Sequence, residues 1–115
     1  MSQNHGKTTT KKASTHDVTM PLVEAMFGEF KDLAKKRPEG AVSKNKLLIA
    51  NRLLQRVREV LADEECIEFL DLLDEDDVPQ VSDVTLIFSQ YVAAMQAFKI
   101  KYHGWNGAEH GWFVE

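Results

Sequence analysis

Apolar residues in this chain recur every three or four positions along four separate stretches, and no stretch alternates convincingly with period two. That spacing gathers apolar side chains on one face of a helix and argues against paired strands anywhere in the chain. The first stretch runs from about Met20 to Arg37, where Val23, Met26, Phe27, Phe30, Leu33 and Ala34 form a face. Thr19 can cap it, and Pro21 suits a first turn, where a missing N–H costs nothing. Lys35, Lys36 and Arg37 complement the negative end of the helix dipole, and Pro38 and Gly40 stop the helix.

The second stretch, about Lys44 to Ala62, has Ser43 as its cap and a heptad-like seam of Leu47, Ala50, Leu54, Val57 and Leu61. The third is short, about Glu64 to Leu73, capped by Asp63, with Ile67, Leu70 and Leu73 on one face. The fourth runs from about Val84 to Tyr102 behind Ser82 or Asp83. Val84, Ile87, Phe88, Tyr91, Met95, Phe98 and Tyr102 make its main face. Ser89, Ala93 and Ala97 form a stripe of small residues that lets another helix approach closely. The expected fold is therefore all-α: a small four-helix bundle, or a related compact helical array, over residues 19–102.

The flanking segments differ. Residues 1–18 hold almost nothing apolar to bury, so nothing offsets the entropy of ordering them, and a disordered polar and basic arm is expected. That arm has no apolar stretch of the secretory type, and no run in the chain reaches the ~18 apolar residues of a membrane span. A single cysteine, Cys66, cannot form an internal disulfide, so a reducing, cytoplasmic setting is expected. Residues 103–115 contain Gly104, Gly107 and Gly111 and are expected to be a non-helical tail.

Charge is unevenly laid out. Residues 1–60 hold twelve Lys/Arg and six Asp/Glu, a net +6, whereas residues 61–115 hold two and twelve, a net −10. Lys35, Lys36, Arg37, Lys44, Lys46, Arg52, Arg56 and Arg58 are therefore candidates for tracking a nucleic-acid backbone. No aromatic set interleaves with them and no helix-turn-helix is clear, so an ordinary polar helix face is the favoured explanation. The two halves can also neutralise each other within one domain, which helices adjacent in sequence favour.

Other constellations fail on spacing or surroundings. In Asp71, Asp74, Glu75, Asp76 and Asp77 a calcium loop would need glycine sixth and glutamate twelfth, but counting from Asp74 finds Pro79 and Thr85. Cys66 follows Glu64 and Glu65, whose charge opposes thiolate formation. His5 and His16 fall in the arm, where no geometry would be held for proton transfer. No catalytic set and no cofactor motif emerges.

The tail is the unusual segment, because His-Gly-Trp occurs twice, at 103–105 and 110–112. His103, Glu109 and His110 have metal-ligand chemistry but lack partners to fix their geometry. Trp105, Trp112 and Phe113 could anchor in a protein partner or fold back to cap the helices, and capping is favoured because tryptophan is costly to leave in water. The sequence thus points to a non-catalytic helical module that binds a protein partner or itself through a helix face or this tail. Association with nucleic acid through the basic half is the alternative.

Overall fold

The computed structural model describes residues 6–115; the first five residues, His5 among them, lie outside the described residues. The elements in chain order are α1 (Thr10–Lys36), α2 (Lys44–Val60), a 3-10 turn (Glu65–Phe69), α3 (Val81–Tyr102), β1 (His103–Trp105) and β2 (His110–Trp112). The protein is mostly helical, and no helix among the described residues is long and apolar enough to cross a membrane.

Helix α2 forms where its pattern puts it. Ser43 accepts the Lys46 N–H at 3.2 Å, and Leu47, Ala50, Leu54, Val57 and Leu61 are all fully buried. Helix α3 begins slightly earlier than expected, at Val81, because Gln80 and Asp83 form a reciprocal capping box. Val84, Phe88, Tyr91, Met95, Phe98 and Tyr102 then enter the core. α2 and α3 leave from the same end of the molecule. The Val42 N–H donates to the Pro79 carbonyl (3.1 Å), and the Val81 N–H to that of Gly40 (2.8 Å). α1 runs antiparallel to α3, with Phe30 against Phe88 at one end and His16 reaching Met95 at the other.

Three expectations need correction. First, the arm is not disordered from residue 10 onward: α1 starts at Thr10, with the Thr9 hydroxyl accepting the Lys12 N–H at 3.1 Å. Ala13, His16, Thr19 and Val23 are buried at helical spacing, so polar residues do the packing that the sequence reading reserved for apolar ones. Thr19 is no cap; its hydroxyl donates back to the Thr15 carbonyl at 2.7 Å. Pro21 lies inside the helix and not in its first turn, so it removes the N–H that would have met the Asp17 carbonyl and crowds that carbonyl with its ring.

Second, the third helix expected from about Glu64 to Leu73 is only a 3-10 turn at Glu65–Phe69, so the described residues hold three α-helices rather than four. After the 3-10 turn, residues 70–80 form an irregular strap along α2 and α3, with a turn at residues 75–77. Leu70 and Leu73 are buried there, and side chains take up several backbone groups beside the local bonds from the Leu70 N–H to the Ile67 carbonyl (3.2 Å) and from the Asp77 N–H to the Asp74 carbonyl (3.4 Å). Asn51 is the clamp: its Nδ2 donates to the Leu73 carbonyl (2.7 Å) and to Glu75 Oε2 (2.9 Å), while its Oδ1 accepts the Leu73 N–H (2.9 Å). The Tyr91 hydroxyl donates to the Asp71 carbonyl at 2.9 Å, and Arg58 Nη1 to that of Leu70. These bonds take up backbone groups that a helix would have paired internally, and the acidic run repels itself out of helical spacing. Val78 closes this strap in the left-handed region (φ 43°), a strained setting for a β-branched residue.

Third, the tail contains paired strands. β1 and β2 form an antiparallel hairpin that sets His103 opposite Trp112, Gly104 opposite Gly111 and Trp105 opposite His110. The four-residue loop 106–109 makes the turn, closed by the Asn106 N–H on the Glu109 carbonyl at 3.1 Å. Gly107 adopts φ +100°, and Asn106 Oδ1 accepts the N–H groups of Ala108 and Glu109, each at 2.9 Å.

Asn51→Ala strands the Leu73 N–H and carbonyl in a buried site, and each unpaired group costs about 1–3 kcal/mol. We expect urea unfolding to show a loss of at least about 2 kcal/mol, and the Leu73 amide to lose its protection from hydrogen exchange. An unchanged midpoint would show that the Asn51 bonds do not hold the strap.

Candidate functional site

The tail residues separate into inward and outward groups. Trp112 turns in: its ring lies 5.9 Å from that of Phe98 and 5.0 Å from that of His16, and its Nε1 donates to the Asp17 carboxylate at 3.1–3.2 Å. Phe113 is half-buried, with its ring over Gly104 and its N–H on the Tyr102 carbonyl at 2.6 Å. Trp105 stays 60% exposed against the edge of His110. The Thr8 N–H donates to the Phe113 carbonyl (2.9 Å) and the Glu115 N–H to that of Thr8 (3.2 Å), so Thr8 lies beside residues 113–115. The hairpin thus covers the end of the helices.

His103 and His110, offered as metal ligands, each meet a tryptophan ring instead, at 5.1 and 5.2 Å. Among the described residues, no three of His, Cys, Asp and Glu converge on a metal-sized position, Glu109 included. Cys66 is half-buried in the 3-10 turn, and burial, aided by the Glu64 charge, raises its thiol pKa and disfavours the thiolate.

His16, expected in a loose arm, is the most enclosed ionisable group in this region. It is 2% exposed, stacked on Phe98 at 5.6 Å, with Nε2 2.8 Å from the Met95 carbonyl. A carbonyl can only accept, so Nε2 carries the proton and donates. Burial lowers the pKa of His16 below its ordinary 6.5; the Met95 carbonyl and the Asp17 charge work against that shift without reversing it.

The basic candidates divide as well. Arg58 is committed to the strap, Lys44 pairs with Asp76 (3.9 Å), Lys35 with Asp32 (4.0 Å) and Arg56 with Glu59 (3.1 Å). Arg37, Lys46, Arg52 and Arg56 stand beside an open apolar groove between α1 and α2. Its larger part, about 610 Å³, has Val18, Leu22, Ala25 and Met26 of α1 facing Ile49 and Leu53 of α2, with Arg52 and Arg56 at the edge. A narrower part of about 190 Å³ continues past Met26 and Ile49 to Leu33 and Lys46.

α1 sets this groove. One side of the helix packs on α3 and another on α2, which leaves Val18, Leu22 and Leu33 on a third side, at 67%, 53% and 36% exposure. From Val18 to Leu33 the groove extends about 22 Å at 1.5 Å per residue, roughly four turns of helix. The basic candidates lie where the sequence reading put them, on α1 and α2. The apolar floor was missed because Val18 and Leu22 fell outside the expected α1 face. No family model, curated protein or solved structure matches this chain.

The His16 site makes stability depend on pH. A histidine with a lowered folded-state pKa favours the neutral form, so its contribution is complete above the unfolded value of 6.5 and is lost as pH falls below it. We expect the urea midpoint to hold between pH 7 and 8 and to drop from pH 6.5 to 5. In His16→Leu, which is less stable at neutral pH because the Met95 carbonyl loses a donor, that slope should be smaller. Identical pH slopes in both proteins would contradict a buried neutral His16.

Proposed function

We propose that this chain is a non-catalytic interaction module that holds an amphipathic, acid-flanked helix of a protein partner in the groove between α1 and α2. The observation that carries the reading is the pairing of an exposed apolar floor with a basic edge along four helical turns. A helix laid in such a groove inserts apolar anchors at i, i+3, i+4 and i+7. Val18, Leu22, Met26 and Ile49 offer those anchors a surface to bury against, which water otherwise occupies. Arg52, Lys46 and Arg37 would meet carboxylates on the flanks of the incoming helix, and Glu29 also lines the groove. The charges govern approach and specificity, and the apolar anchors govern residence. With the hairpin packed on the helix ends, a helix face serves this role better than the aromatic tail.

The basic edge also favours a second reading, association with nucleic acid through Lys46, Arg52 and Arg56. The floor argues for the first, since a phosphate backbone gains nothing from contact with Leu22 or Ile49.

A fluorescent series of helical peptides about 18 residues long, with leucine anchors in varied registers and glutamates on the flanks, tests both by anisotropy. We expect at least one register to bind, and Leu22→Asp or the pair Arg52→Glu and Arg56→Glu to weaken it about tenfold or more. No binding by any register would overturn the groove reading. Binding of single-stranded DNA or RNA with a steep salt slope, unaffected by Leu22→Asp, would establish the second.

A further inference from the structure

We infer that the outer face of α3 is a self-association surface, on which a second copy of this chain lays its own α3 antiparallel about a twofold axis at Ala93. This surface shares no residue with the α1/α2 groove, and the inference does not depend on the proposal made for that groove.

The motivating observation is a helix face that breaks the usual rule for surfaces. Between Asp83 and Lys99, α3 carries no charged residue at all. Its inner side accounts for part of that, since Val84, Phe88, Tyr91, Met95 and Phe98 are core. Its outer side does not: Leu86 is 61% exposed and Ile100 82%, and Gln90, Ala93, Gln96 and Ala97 are exposed between them. At 100° per residue these six positions fall within a single strip about 120° wide. A solvated face of a helix is normally charged, and an uncharged strip ending in two large aliphatic side chains fits an apolar partner.

The strip also says which partner. It reads nearly the same in both directions from Ala93. Leu86 and Ile100 lie seven residues to either side, Ser89 and Ala97 four, and Gln90 and Gln96 three. A twofold interface brings a patch against itself, residue i meeting j′ and j meeting i′. In an antiparallel pair centred on Ala93, Leu86 meets Ile100 of the other copy, Gln90 meets Gln96, and small residues occupy the middle, where the backbones come closest. The Ser89 hydroxyl donates to the Leu86 carbonyl at 2.6 Å, so it enters such a contact already paired.

Charge sets the direction. The antiparallel arrangement brings the Asp83 end of one helix to the Lys99 and Lys101 end of the other, and opposes the two helix dipoles favourably. A parallel pair would place Asp83 beside Asp83 and lysines beside lysines. One helix pair about 21 Å long lies at the small end of specific interfaces, so the dimer should be weak, with a dissociation constant in the micromolar range.

Sedimentation equilibrium of the full chain from roughly 5 μM to 1 mM is the test. We expect a monomer–dimer equilibrium, and dissociation constants raised about tenfold or more in Leu86→Glu and in Ile100→Lys taken singly. Both positions are exposed, so circular dichroism and the urea midpoint should match the parent and show that folding is intact. Mixing the two variants should restore association, because the antiparallel register sets Glu at 86 against Lys at 100. A parent chain monomeric at 1 mM, or dimers indifferent to both substitutions, would overturn the inference. Recovery on mixing that fails while both variants stay folded would overturn the antiparallel register.

Discussion

The His16 imidazole ties together the parts of this molecule that its sequence keeps apart. It sits in α1, donates to a carbonyl of α3 and lies against a tryptophan of the hairpin. Without that ring box the first ten residues of α1 would have little apolar surface to bury and no reason to stay helical. Val18, which lines the open end of the groove, belongs to that same stretch, and Leu22 follows one turn later. The imidazole must also remain neutral, since a buried charge with one carbonyl acceptor would be costly. Fold, pH response and candidate interaction surface thus depend on one hydrogen bond and three rings.

The strap is the second constraint. A cluster of Asp and Glu cannot bury itself as a helix, yet the gap across α2 and α3 has to be closed. The chain closes it with Leu70 and Leu73 and hands the backbone groups to Asn51, Arg58 and Tyr91. The side chains of Asp71, Asp74, Asp76 and Asp77 are left exposed. Some of the imbalance is neutralised locally: Lys12 pairs with Asp63, Lys44 with Asp76, and Lys101 with Glu64. Glu64 also accepts the Tyr102 hydroxyl at 2.9 Å, and the contacts Lys101 itself makes with Tyr102, first, and with Glu64 raise its pKa. Exposed pairs of this kind contribute little to stability. The uneven charge therefore matters more for what approaches the surface than for the fold.

The sequence was most legible where apolar periodicity and burial coincide. The seam of α2, its Ser43 cap and the core face of α3 follow from spacing alone. It was least legible where polar residues do structural work. Thr8, His16, Thr19 and Asn51 are buried through specific bonds or ring contacts, and nothing in a hydrophobic pattern marks them. The hairpin did carry a local signal, Asn106-Gly107 between two copies of His-Gly-Trp, but strands of three residues are too short to show an alternating pattern. Of the candidate sites, the basic residues were visible as a charge excess. The groove beside them required knowing that α1 starts at Thr10, and the outer face of α3 required knowing which of its two apolar sides is left in water.

Hydrogen exchange on the full chain and on a chain ending at Tyr102 measures the central dependence directly. Removing residues 103–115 takes away Trp112 and the Phe113 carbonyl that holds Thr8, and opens the ring box around His16. The amides of α1 from Ala13 to Met20 should then lose protection by about tenfold or more relative to those of α2 between Leu47 and Val57. Equal protection of that half-helix in both chains would contradict the account, since α1 would then stand without the hairpin that is argued to hold it.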